Sequence, residues 1–170
     1  MPDDLSMHVD AETALAGTPP GRKDEVRLWL RLLTCTNLIE AEIRRRLRLE
    51  FDTTLPRFDL LAQLERAPAG LTLGDISRRM MVSNGNVTGL AARLEEEGLI
   101  ERRVSPTDRR AQTLRLTPRG RREFARQSAA HEGWVAELLG GLAEEERAAL
   151  HALLGRTKAS LRAGLDGRDA

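Results

Sequence analysis

The sequence predicts a mainly α-helical fold of six helices with one two-stranded β-hairpin. Three observations lead there. Long stretches keep apolar residues at helical spacing. Breaks such as GTPPG, APAG and GG separate them. Only one place, LIERRV and QTLRLT around the loop SPTDRRA, reads as two strands joined by a loop of seven residues.

Residues 1–21 are polar and acidic and read as a flexible arm. From Arg22 to Phe51 a stretch without Gly or Pro forms the first helix. Val26, Trp29, Leu30 and Leu33 make one apolar stripe on it, and Leu32, Cys35, Ile39, Ile43 and Leu47 another. Two stripes mean two buried sides, one for the chain's own core and one for a partner, and a second copy is the simplest cover. The second helix opens at Pro56, with Phe58, Leu61 and Leu64 inward. LTLGDISRRMM is a short third helix. In the fourth, Ser83 is the N-cap, Val87, Leu90, Ala91 and Leu94 face inward, and Gly98 ends the run. The second strand alternates, with Leu114 and Leu116 on one face and Thr113, Arg115 and Thr117 on the other. Thr117 and Pro118 start a fifth helix reaching about Leu139. A sixth, from about 143 to 165, carries Leu150, Leu153, Leu154 and Leu161.

With 170 residues the chain has room for one domain with a real core. The expected organisation is an arm at 1–21, a domain at 22–165 and a short tail at 166–170. A single cysteine, an acidic N-terminus and the lack of any run of roughly 18 apolar residues lead to the expectation of a soluble cytoplasmic protein. Formal net charge is only +1, yet eight arginines between Arg102 and Arg122 face Asp108 alone. That local +7 leaves the rest of the chain net acidic, which is the electrostatic footprint of phosphate binding.

Helix, short helix, helix and hairpin make the winged helix-turn-helix arrangement. It needs a helix slim enough for the major groove and a basic loop beside it. The fourth helix carries Gly85, Thr88, Gly89 and Ala92 opposite its core face, where a merely solvated surface would carry Glu and Lys. Asn84 and Asn86, beside Ser83 at the positive helix end, suit base edges. Two helical glycines also suit close packing against another helix, and that reading stays open here. The expected DNA-binding set is Ser83, Asn84, Asn86, Thr88, Arg93, Arg109 and Arg110. The two loop arginines would reach phosphates or the minor groove, with Arg103, Asp108 and Arg115 supporting the wing.

GLIERRVSPTDRRAQTLRLTPRG resembles the wing signature of the MarR family of bacterial transcriptional regulators, through Asp108, Arg110, Leu116, Thr117 and Gly120. SNGNVTGLAARLEEEGLI is similar to that family's recognition helix, and the order of elements agrees over about residues 24–163. The resemblance implies a winged helix-turn-helix at about 56–117 and a homodimer joined through helices at about 22–51 and 118–163. It also implies a pseudo-palindromic double-stranded DNA operator and a small-molecule effector, with repression the expected sign. FDTTLPRFDLLAQLER with MMVSNGNVTGL is similar to a subgroup sensing aromatic acids or their coenzyme A thioesters. Arg44, Arg45, Arg46 and Arg48 would meet thioester phosphates. The implied pocket points to Asn37, Arg44, Phe58, His131 and Trp134.

Two rival readings belong to other classes. A thiol-based redox sensor would use Cys35, but a cysteine mid-helix on an apolar stripe, in a chain without tyrosine, reads as a buried, inert thiol. An architectural DNA-binding protein without an effector fits poorly with near-neutral charge and an asparagine-bearing helix. No cofactor and no metal are expected, since His8, His131 and His151 are far apart in sequence. No catalytic constellation is visible, and an enzyme is not expected.

Overall fold

A computed structural model describes residues 23–104 and 112–166. Its elements are α1 (Asp24–Phe51), α2 (Leu55–Glu65), α3 (Leu73–Met80), α4 (Asn84–Glu96), β1 (Ile100–Val104), β2 (Gln112–Leu116), α5 (Pro118–Leu138) and α6 (Glu144–Asp166). They fall into two compact units, Met1–Ala129 and Ala130–Ala170, with the division inside α5. The predicted arm, the loop residues Asp108, Arg109 and Arg110, and the last four residues lie outside the described residues.

Helix ends follow local chemistry. α1 stops at Asp52, which turns into the left-handed region at φ 47°, and Asp52 and Thr53 donate back to Arg48 and Leu47. Pro56 occupies the second position of α2, one residue later than the sequence suggested, because Leu55 already has helical geometry. α3 begins with a capping box: Thr72 Oγ1 accepts from the Asp75 amide at 3.1 Å, while Asp75 Oδ2 accepts from the Thr72 amide at 3.3 Å. Ser83 caps α4 as expected, and Gly98 follows it at φ 69°.

The first unit is organised around α2, whose Phe58, Leu60, Leu61, Ala62 and Leu64 are all buried. Leu60 lies outside the predicted inward stripe and is fully buried, because α2 is packed by α1, α3, α4 and β2 together. Around Leu60, Leu61 and Leu64 close Leu71, Ile76, Val87, Ala91, Leu94, Leu99, Ile100, Leu114 and Leu116. The hairpin is antiparallel, with Ile100 opposite Leu116 and Val104 opposite Gln112.

β2 does not alternate cleanly between core and solvent. Thr113 is buried along with Leu114 and Leu116, because residues 70–71 run along the other side of the strand. Leu71 and Leu114 exchange both backbone hydrogen bonds, at 3.1 and 2.8 Å. Gly70, at φ 92°, makes this approach possible, since a Cβ there would lie 3.0 Å from Thr113 Cβ and 2.9 Å from Arg115 Cγ.

The start of α5 is fastened to the α4–β1 turn. The Thr117 amide donates to Leu99 O at 3.0 Å and its hydroxyl to Gly98 O at 2.7 Å, while Thr117 Oγ1 accepts from the Gly120 amide at 3.0 Å. A Cβ at Gly120 would stand 1.9 Å from the Leu99 carbonyl oxygen. The Leu-Thr-x-x-Gly pattern thus has a steric cause as well as a capping one.

Of the three helices expected to face a partner, α1 and α6 leave apolar residues exposed in the single chain. α1 buries only Ile43 and Leu47, leaving Val26, Trp29 and Leu33 exposed. On α6, Leu150, Leu153, Leu154, Leu161 and Leu165 are exposed. Cys35 is exposed too, which corrects the expectation of a buried thiol: the chain covers its stripe only farther along, at Ile43 and Leu47. Among the described residues no helix is long and apolar enough to cross a membrane.

Candidate nucleic-acid interface

α4 presents an open face. At Gly85 and at Gly89 an added Cβ would meet nothing within 4 Å among the described residues, so neither glycine serves packing against them. Asn84 and Asn86 are exposed in the first turn, where free backbone amides and the helix dipole favour acceptors and negative charge. The Ser83 hydroxyl accepts from the Asn86 amide at 3.4 Å. Thr88 donates its hydroxyl to Asn84 O at 2.8 Å, so outward it offers lone pairs and a methyl group but no proton. Arg93 is exposed and lines one groove with Gly85, Asn86 and Gly89, which places these four on one side of the helix.

Acids at the far end of α4 are neutralised by arginines. Glu95 accepts from Arg102 Nε at 2.8 Å. Glu97 holds Arg57 through both terminal nitrogens, one at 2.8 Å, and this pair keeps the Glu97 carboxyl below its usual range. The basic block is correspondingly less free than its composition suggests. Arg103 donates to Glu101 at 2.8 Å, and Arg121 lies 3.7 Å from Glu65. Arg115, opposite Glu101 on the ladder, keeps a buried Nε without a partner among the described residues.

A second feature lies behind this face, wholly within the first unit. A polar cavity of about 200 Å³ is lined by Asp52 and Thr53 after α1, Arg57 and Leu61 of α2, Glu97 and Leu99 after α4, and Arg119, Glu123 and Gln127 of α5. Gln127 is buried and donates through Nε2 to Glu123 at 3.0 Å, but its Oε1 has no partner among the described residues. Arg57 Nε is likewise buried and unpartnered among the described residues. An orphaned donor and an orphaned acceptor on one cavity wall are costly unless something polar occupies the space.

The chain is similar to known transcriptional regulators in sequence and in fold. A family profile described as the MarR family matches residues 51–111. The chain is 34% identical over 97 residues to the transcriptional activatory protein BadR of Rhodopseudomonas palustris, covering 56% of this chain but only 55% of BadR. An HTH-type transcriptional regulator of Bacillus cereus is 30% identical over 131 residues, covering 75% of this chain and 84% of that protein. The crystal structure of a MarR family transcriptional regulator from Silicibacter pomeroyi superposes with a TM-score of 0.71 at 32% identity, over 85% of this chain and 99% of that one. The chain belongs to the MarR family.

In this MarR-family chain the expected DNA-binding residues separate by position. Ser83, Asn84, Asn86, Thr88 and Arg93 share α4 and its cap, whereas Arg109 and Arg110 lie outside the described residues. The expected effector residues divide between the two units, Asn37, Arg44 and Phe58 in the first and His131 and Trp134 in the second. Asn37 is exposed on α1, and Arg44 is exposed and paired with Glu40 at 2.9 Å. Phe58 is core, its ring 5.4 Å from that of Phe124. His131, half-buried, and Trp134, buried, belong to the second unit, where His131 lines an apolar groove with Val135, Ala136, Leu139 and Arg147. Arg45 and Arg46 share Glu42, so most of the cluster assigned to thioester phosphates is engaged by acids. Arg57, Gln127 and Thr53 were missed. An arginine after a helix-starting proline was the only local signal, and its partner Glu97 is 40 residues away.

Proposed function

We propose that this chain is a DNA-binding transcriptional regulator of the MarR type, working as a homodimer that represses by occupying a pseudo-palindromic operator. The observation that carries the reading is the α4 face. Two glycines with empty space above them, beside two exposed asparagines at the positive helix end, suit close approach to a groove floor. Uncovered leucines on α6 and apolar residues on α1 support the dimer, with residues 22–51 and 118–163 as its joining helices.

The proposed effector is a small aromatic acid, free or as its coenzyme A thioester. The cavity beside Arg57 is of a size for a single ring, and its orphaned Arg57 Nε–H and Gln127 Oε1 suit a carboxylate and a ring hydroxyl. A carboxylate drawing Arg57 away loosens its hold on Glu97, the C-cap of α4. Effector binding then disfavours the DNA-bound position of the recognition helix, by its differential affinity for the two states. Release corresponds to repression. BadR is named an activatory protein, so the sign is measured directly by run-off transcription from the bound promoter.

The test is a titration on the DNA flanking this gene, with wild type and Arg110→Ala, against single-ring aromatic acids and their thioesters. Tight binding that falls with Arg110→Ala, is released by one compound, and is insensitive to that compound in Gln127→Leu is the expected result. Binding equal on random DNA, indifferent to Arg110 and to every compound, contradicts the proposal and leaves a protein that coats DNA through charge alone.

A further inference from the structure

The turn between α3 and α4 holds a residue that its backbone does not favour. Met81 caps α3 in the left-handed conformation, φ 55° and ψ 39°, where glycine or asparagine is the usual solution. The turn around it is fastened: the Val82 amide donates to Ser77 O at 3.2 Å, and the Ser77 hydroxyl donates to Val82 O at 2.5 Å. Met81 is nevertheless 91% exposed, more than any other large apolar side chain described. It therefore costs backbone strain and returns no packing within the chain. Residues kept in such conformations without an internal reward mark places where function holds them.

Its surroundings say what would cover it. Arg79 is exposed on the last turn of α3, and Ser83 and Asn84 begin α4 two and three residues beyond Met81. An apolar, unbranched thioether between a cation and a helix N-terminus faces a partner that is anionic with apolar patches. Double-stranded DNA is such a partner, offering phosphates beside thymine methyl groups and deoxyribose faces. We infer that Met81 is a DNA-contacting residue, which packs its side chain on a thymine methyl or a sugar at the groove edge. This rests on the DNA-binding reading above.

The experiment uses the full chain and a duplex that the wild-type protein selects from a random pool. Met81→Gly and Met81→Leu are compared with wild type by thermal melting and by anisotropy titration. Met81→Gly is expected to melt about 2–4 °C higher, since the strain is gone, yet to bind about tenfold more weakly, for loss of one buried apolar side chain. Met81→Leu keeps affinity within about twofold, an apolar swap of similar volume. Replacing thymine by deoxyuridine weakens wild type more than Met81→Gly if the contact is a methyl group, and both equally if it is deoxyribose. Unchanged affinity of Met81→Gly overturns the inference while DNA binding stands. A lower melting temperature with lower affinity overturns it as well, making Met81 a folding residue. Failure of wild type to select any duplex overturns the DNA-binding reading itself.

Discussion

Gly120 shows how little freedom single positions have where α5 meets the α4–β1 turn. The Leu99 carbonyl would lie 1.9 Å from a side-chain carbon at that position, and the carbonyl is itself held by the Thr117 amide. Gly120→Ala is therefore expected to lower unfolding free energy by about 3 kcal/mol or more, beyond the usual cost of overpacking, as read from urea denaturation. Gly85 and Gly89 differ in kind, because open space surrounds them. Gly89→Ala is expected to gain about 1 kcal/mol through helix propensity while operator affinity drops. Parallel melting and titration check the two signs, and a glycine kept for folding would lower both. The same residues show what a sequence reveals. Ser83 as a cap and Gly98 as a stop were legible, since each depends on neighbours within one turn. The openness above Gly85 and Gly89 was not, since helical glycines equally serve close packing.

Among the elements, those defined by local periodicity were readable and those defined by distant partners were not. α4 was placed to within a residue or two from Val87, Leu90, Ala91 and Leu94. The bridge from Leu71 to Leu114, which buries Thr113, joins segments 43 residues apart and has no periodic signature. Arg57 and Glu97, tying α2 to the end of α4, were invisible for the same reason. Cys35 was misread because periodicity reports that a face is apolar, not whether the chain itself covers it. α1 also carries a pH response. Hydrogen bonds from Arg45 and Arg46, outweighing desolvation, hold Glu42 at a pKa of about 2, down from 4.5. A carboxylate with a lowered folded pKa contributes stability that is complete above its unfolded pKa and is lost as pH falls through the folded one. Stability of wild type is thus expected to decline between about pH 4.5 and 2, and Glu42→Gln to flatten part of that limb. Chemical denaturation at stepped pH checks it; an unchanged slope would show that the Glu42 pairs contribute nothing.

For the whole molecule, the uncovered apolar residues of α1 and α6 matter most. The proposed dimer would cover Trp29, Leu33, Leu154 and Leu161, which are exposed in the single chain. Leu154→Glu is expected to shift the chain from dimer toward monomer in sedimentation velocity and to abolish operator binding, since two recognition helices must span about one DNA turn. The central claim is that the α4 face reads sequence. Its most direct measurement is affinity for the DNA flanking this gene against a random duplex of equal length, at two salt concentrations, for wild type and Asn86→Ala. The account predicts a specific affinity about a thousandfold or more above the random one. It also predicts that Asn86→Ala narrows that gap while leaving random binding and its salt slope unchanged. Equal affinity for both duplexes, or a gap that Asn86→Ala does not touch, would contradict it.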